Sequence, residues 1–311
     1  MRDIKRRIAS VRNIQQITKA MELVSATKLR RAQTAVLTAR PYAEKLEEVL
    51  TRLVAANRVR ARGKKQAVRH PLLEGRAVKK VAYVVITADR GLAGAYNTNV
   101  IRRAEQTLAA EEREWALITV GRKGRDHFHR RGRPIHSEYL YMGDDIDFLR
   151  AREISRALTD LYVSGTFDEV NLIYTQFIST GSQRPTMVRL LPLSGLDGAG
   201  EAGAEEGTEE EAVSADDGGE PPVEYIYEPS PAEVLGLLLP RHVDMQVYRA
   251  LLEAKASEHA ARMRAMRAAT DNATEMIRTL TLSFNRARQA AITKEIAEIV
   301  GGAEALNVGA V

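Results

Sequence analysis

Three short stretches of this chain hold residue types that could do chemistry. Thr87-Ala-Asp-Arg-Gly-Leu-Ala-Gly-Ala-Tyr-Asn97 follows an apolar run and opens a helix-forming one, which is where a dinucleotide-binding loop would sit. It supplies Gly91 and Gly94 without the three-glycine spacing, and it begins with an acid and a base, so a tight strand-to-helix turn accounts for it better. Gly121-Arg-Lys-Gly-Arg-Asp126 resembles a phosphate loop only loosely, because no Lys-Ser or Lys-Thr follows a second glycine at the required distance. His127 and His129 could be two metal ligands, but no third ligand is spaced to complete a site, and they read as a surface pair. No nucleophile, base and orienting group can be assembled. The expectation is a mechanical or binding component with no catalytic residue, no bound cofactor and no metal site.

The elements around these stretches are unusual in length. From about Arg241 to Ile299 the chain forms a helical stretch of roughly 60 residues without internal proline or glycine, which would span about 90 Å as one helix. Residues 1–56 make a second such stretch, interrupted only by Pro41. Ile4, Ile8, Val11, Ile14, Ile17, Met21 and Val24 recur at three- and four-residue steps on the first. After Thr27-Lys-Leu-Arg-Arg31 the stripe resumes through Ala32, Ala35, Ala39, Ala43, Leu46, Leu50 and Leu53. A matching series on the second runs through Val247, Leu251, Ala254, Ala261, Ala265, Ala268, Ala273, Ile277, Leu280, Phe284, Ala287 and Ala291. The natural pairing is an antiparallel coiled coil of the two ends, with alanine allowing close approach. The alternative, two ordinary helices folded over a globular core, is disfavoured because the polar faces are too wide for burial on two sides.

Between the rods, short apolar runs alternate with helical stretches. Val78–Thr87, Trp115–Val120, Val170–Ile178, Pro185–Leu193 and Val223–Tyr227 read as strands, Ala95–Ala110 and Asp144–Tyr162 as helices, and Gly121–Arg131 as a short helix or turn. That alternation implies a small Rossmann-like α/β layer structure. Ser230 as N-cap, Pro231 at the first position and Glu233 as capping-box partner open a short helix, which Pro240 is expected to end. The predicted organisation is therefore an α/β fold in three parts. Residues 1–56 form an N-terminal coiled-coil helix, 77–229 a central α/β domain, and 230–311 a C-terminal coiled-coil helical region.

Composition bounds the remaining possibilities. Cysteine is absent, which excludes disulfides, thiolate nucleophiles and zinc-thiolate sites. No run of about 18 apolar residues occurs and the N-terminus lacks a signal-peptide stretch, which fits a soluble chain kept in the cytoplasm. The net charge of +5 hides an asymmetry: Asp197 to Glu220 holds ten acidic residues and no basic one, leaving about +15 on the rest. Residues 197–220 have almost nothing to bury and are expected to form a disordered insertion.

Four stretches, in order along nearly the whole chain, resemble the gamma subunit of the F-type ATP synthase. They are Lys5–Lys28, Thr87–Asn97, Ala261-Arg-Met-Arg-Ala-Met-Arg-Ala-Ala-Thr-Asp-Asn-Ala273 and Phe284-Asn-Arg-Ala-Arg-Gln-Ala-Ala-Ile-Thr-Lys-Glu-Ile296. The resemblance implies a non-catalytic central shaft that turns inside three alpha and three beta subunits. The body would rest against the epsilon subunit and the c-ring, peripheral to the cytoplasmic side of the cell membrane and held there only through the complex. Proton-driven rotation would then cycle the beta subunits for ATP synthesis. Carried over residue by residue, it places Met21, Arg262, Arg286, Arg288, Gln289, Thr293 and Glu295 against the alpha/beta hexamer, and Tyr225, Tyr227 and Glu228 against epsilon and the c-ring. Without the resemblance, the polar members of the first group would be the solvated face of a coiled coil and Met21 a core residue. The chloroplast form of the family carries an insertion with a regulatory cysteine pair at about the position of residues 197–220. The absence of cysteine excludes such a thiol switch here. Two other classes fare worse. A nucleic-acid-binding coiled coil would group its cations on one face, whereas here they are spread and mixed with Glu, and an NAD-dependent enzyme would need the missing phosphate loop.

Overall fold

A computed structural model of the chain describes residues 1–62, 70–193, 228 and 230–308. The elements in order are α1 (Arg2–Arg62), β1 (Lys80–Ile86), α2 (Tyr96–Ala109), β2 (Glu114–Val120), α3 (Arg122–Arg130), β3 (Ile135–Tyr139), α4 (Phe148–Val163), β4 (Glu169–Phe177), β5 (Gln183–Leu191) and α5 (Pro231–Val308). The expected strand at Val223–Tyr227 and the acidic residues 197–220 lie outside the described residues. The chain divides into two compact units. One comprises Met1–Leu29, Leu92–Gly94 and His259–Val311; the other comprises Arg30–Gly91 and Ala95–Glu258.

The second unit is built on a five-stranded sheet in the order β3-β2-β1-β4-β5. β1 pairs in parallel with β2 and β4, β2 in parallel with β3, and β5 closes the far edge antiparallel to β4. Side chains alternate between its faces, as the pleat requires. Val81, Tyr83 and Val85 join Val100, Ile101, Ala104 and Leu108 of α2 and Phe128 of α3 in one cluster. Ala82, Val84 and Ile86 join Ile154 and Leu158 of α4, Leu50 and Leu53 of α1, and Leu235, Leu239 and Leu251 of α5 in the other. Helices on both faces of a mostly parallel sheet make the doubly wound layer structure that the strand-helix alternation implied. β3 escaped the reading because Ile-His-Ser-Glu-Tyr, an edge strand with alternate residues exposed, has no apolar run to betray it. From the middle of β1, the Tyr83 hydroxyl donates to Glu111 Oε2 at 2.5 Å. Arg113 hydrogen-bonds the same carboxylate, holding Glu111 down at about 2.

Two expectations about the long helices need correction. Pro240 does not end a helix: α5 runs unbroken from Pro231 to Val308, opened by the expected box in which Ser230 Oγ accepts from the Glu233 N–H at 3.3 Å. A proline ring inside a helix clashes with the carbonyl four residues back, here that of Gly236, where no side chain stiffens the backbone. Leu235, Leu239 and Val243, each fully buried, tie down both sides of the junction. Helix α1 likewise continues through Pro41 to Arg62.

The second correction concerns what these helices cover. Residues 30–54 of α1 and 231–258 of α5 are core helices of the sheet-containing unit, as the disfavoured alternative had it. Several polar groups of α5 are enclosed there, while Glu233, Arg241 and Arg249 face water. Glu253, Lys255, Ser257 and Glu258 are all buried. Arg249 pairs with Glu253 at 2.8 Å, Lys255 with Glu258 at 3.1 Å, and the Ser257 hydroxyl donates to the Thr175 carbonyl at 3.1 Å. Local pairing of this kind offsets most of the cost of enclosing a helix with a wide polar face, although Glu253 Oε2 stays buried without a hydrogen-bond partner.

Candidate partner-gripping surface

The loop after β1 is committed to internal bonds. The Asp89 carboxylate accepts from the backbone N–H of Arg122 at 3.0 Å, Tyr141 at 3.2 Å and Met142 at 3.1 Å. Thr87 Oγ1 accepts from the Gly124 N–H at 2.8 Å, and Asn97 Oδ1 from the Ala88 N–H at 2.9 Å. Both glycines of the second loop serve this close approach. A Cβ on Gly121, whose φ is 91°, would lie 2.1 Å from the Thr87 carbonyl oxygen, and one on Gly124 would lie 2.9 Å from Thr87 Oγ1. The residues that resembled a nucleotide cradle therefore knit three chain segments together. His127 faces Glu105 at 3.0 Å while His129 is exposed, with Phe128 buried between them. Among the described residues no group of three metal-ligating side chains converges.

In the other unit, Met1–Leu29 of α1 pairs with the distal part of α5. The Gln15 side-chain amide donates to Thr274 Oγ1 at 2.7 Å, and the Thr18 and Thr270 hydroxyls meet at 2.8 Å. These bonds fix an antiparallel register in which Ile4, Ile8 and Val11 fall opposite Phe284, Leu280 and Ile277. The residues drawn inward on α1 are Ile4, Ile8, Val11, Gln15, Thr18, Glu22, Ser25 and Leu29, a strict three-four repeat. The expected stripe departs from it after Val11, and Ile14, Ile17 and Val24 are exposed. On α5 the series Ala273, Ile277, Leu280, Phe284, Ala287 and Ala291 is the less exposed face, as expected. Gly94, at φ 54°, sets its backbone beside Ala261 and Ala265 within this unit.

By the same register, the N-terminus of α1 falls opposite residue 287 or so, and α5 continues to Val308. About 20 residues of helix, roughly 30 Å, thus have no partner along them in this unit. They present Ile292, Ile296, Ile299 and Val300, each about half to three-quarters exposed. Of the carried-over residues, Arg288, Gln289, Thr293 and Glu295 are exposed on this distal stretch, Arg286 is exposed just before it, and Met21 is half-buried. Arg262 differs: it is buried at 9% exposure, with Nη1 3.4 Å from His259 Nδ1, so it does not belong to a solvated outer face. Glu228 is exposed, and Tyr225 and Tyr227 lie outside the described residues.

A family model described as ATP synthase matches residues 1–306. The ATP synthase gamma chain of Heliobacterium modesticaldum is 53% identical over 307 residues, covering 99% of each chain. The chain belongs to the ATP synthase gamma family. The gamma chain of Moorella thermoacetica is 54% identical over 307 residues, again with 99% of each chain covered. Among solved structures, the central stalk and c-ring of the Tetrahymena thermophila mitochondrial ATP synthase contains a chain at TM-score 0.57 and 25% identity, matched over 81% of this chain and 99% of that one. A chain of the Euglena gracilis mitochondrial enzyme, at TM-score 0.56 and 20% identity, shares the fold over 91% of this chain and 96% of that one. Ile14, Ile17 and Val24 lie on the exposed side of α1, away from the seam. Periodicity could not separate them from the seam, because two apolar stripes overlap on this helix.

Proposed function

We propose that this chain is the central rotary shaft of an F-type ATP synthase, coupling rotation of a membrane ring to conformational cycling of nucleotide-handling subunits. The observation that carries the reading is roughly the last 20 residues of α5, an exposed helical stretch with an apolar stripe and, among the described residues, no partner helix beside it. In water such a helix has little reason to persist unless something encloses it. The enclosure would be a ring of alternating alpha and beta subunits, three of each, a reading that the full-length likeness to gamma chains supports. Chemistry would reside in the beta subunits, and this chain would contribute differential contacts that favour one subunit state over another at each angle. Arg286, Arg288, Gln289, Thr293 and Glu295 would grip hexamer loops through charge-assisted hydrogen bonds that form and release. Met21 would act beside the exposed Ile17 and Val24. Tyr225, Tyr227 and Glu228 would meet epsilon and the c-ring. Association with the membrane would be peripheral, on the cytoplasmic face, through the complex.

The test is assembly. The purified chain, mixed with alpha and beta subunits, should yield a complex that hydrolyses ATP and turns a probe fixed to Asp160→Cys on α4. A complex that hydrolyses ATP equally well without the chain, or whose probe stays still during turnover, would overturn the reading.

A further inference from the structure

The segment Gly121–Arg133 carries six cations and a single acid. Arg122 and Arg125 share Asp126, at 3.9 and 2.7 Å, Arg125 also reaches Glu138 at 3.3 Å, and Arg131 pairs with Glu105. Among the described residues no carboxylate pairs with Lys123, Arg130 or Arg133. Arg130 donates only to the Asp126 backbone carbonyl, and Arg133 lies over the Trp115 ring. Lys123, Arg125, Asp126, His129 and Arg130 line an open cleft of about 410 Å³ along α3. This face has surplus positive charge and room beside it.

We infer that the cationic face of α3 is the docking surface for the acidic segment 197–220 of the same chain. Charge complementarity is the first argument: ten carboxylates without a basic residue meet the three cations left unneutralised on α3 and its following turn. Reach is the second. β5 runs antiparallel to β4, so the chain leaves the sheet at Leu191 beside Val170. Val170 neighbours Ala82, Ala82 neighbours Ala116, and Leu117 neighbours Ile135, so the turn carrying Arg133 lies at that same end of the sheet. Four strand spacings separate them, about 19 Å. Residues 194–227 join β5 to the cap of α5, and six extended residues already span about 20 Å, which leaves length to pass the sheet's end and lie along α3.

The absence of cysteine makes the test direct, because introduced thiols are the only ones in the chain. Ser214→Cys combined with His129→Cys on α3 is compared, in the purified full chain, with Ser214→Cys combined with Arg156→Cys on α4 as control. The α3 pair should form its disulfide about tenfold faster than the control at about 0.01 M ionic strength, where screening extends about 30 Å, and lose that advantage near 1 M, where it extends about 3 Å. Lys123→Gln with Arg130→Gln should abolish the advantage, and so should exchange of the ten acids for Asn and Gln. Equal rates for the two pairs at low salt would overturn the inference, as would an α3 advantage that survives neutralisation of either side. Neither outcome depends on assembly with other subunits.

Discussion

Asp89 shows how a residue that looks catalytic can be structural. Its carboxylate terminates three backbone N–H groups from two other segments, and an ionised acceptor is stronger than a neutral one. Asp89→Ala strands those donors and should lower unfolding free energy by about 2–4 kcal/mol in urea titrations, with Asp89→Asn intermediate. A loss below about 0.5 kcal/mol for Asp89→Ala would mean that water satisfies these groups as well as the carboxylate does. His242 makes a second prediction at this scale. Burial pushes its imidazole down to about 4, and neutral Nε2 accepts from the Gln246 amide at 2.7 Å. The unfolded chain takes up this proton near pH 6.5, before the folded chain does. Stability is therefore whole above pH 6.5 and falls as pH drops toward 4, by up to about 3 kcal/mol from this group alone. His242→Gln should flatten the melting temperature between pH 6.5 and 4.5 relative to the parent chain, and an unchanged slope would refute the assignment.

At the scale of elements, what the sequence disclosed and what it hid follow from the same physics. The central sheet was legible because β1, β2 and β4 are buried on both faces and read as apolar runs, whereas β3, at an edge, was silent. The capping box was legible because its signal is local. The fate of Pro240 was not, because it depends on burial of Leu235, Leu239 and Val243 by residues far away in sequence. The coiled-coil seam misled for a related reason: it runs through Gln15, Thr18 and Ser25, while the more apolar Ile14, Ile17 and Val24 face outward. A seam of hydroxyls should be weaker and more register-specific than one of isoleucines. The Thr18–Thr270 pair tests this, since each hydroxyl has a single proton: one donates to its partner hydroxyl while the other is free to donate to its own helix carbonyl. A double-mutant cycle with Thr18→Val and Thr270→Val should give a coupling of about 0.5–1 kcal/mol, with the double variant no less stable than the parent. Additive losses would show that the two hydroxyls ignore each other.

For the whole molecule, the decisive question is which residues the fold needs and which only a partner would need. Leu50, fully buried in the cluster shared by α1, α4, α5 and the sheet, belongs to the fold. Beyond about residue 287 the register leaves α5 without α1, and side chains there make few demands on the chain's own stability. Arg288 and Gln289 sit at this boundary, both exposed. Truncating either to alanine should change the chain's unfolding free energy by less than about 0.5 kcal/mol, because alanine is the better helix former and no buried partner is lost. In the assembled rotary complex the same substitutions should lower ATP synthesis in reconstituted vesicles by about tenfold or more if each removes one charge-assisted hydrogen bond, about 1.5–3 kcal/mol, from a contact made at the driving step. Ile292→Ser with Ile296→Ser should act on the same readout by wetting the apolar stripe. The comparison of the two measurements carries the argument. Loss of synthesis with an unchanged melting curve assigns these residues to the grip, whereas parental synthesis rates in both alanine variants would remove Arg288 and Gln289 from it and leave the apolar stripe as the surface the hexamer holds.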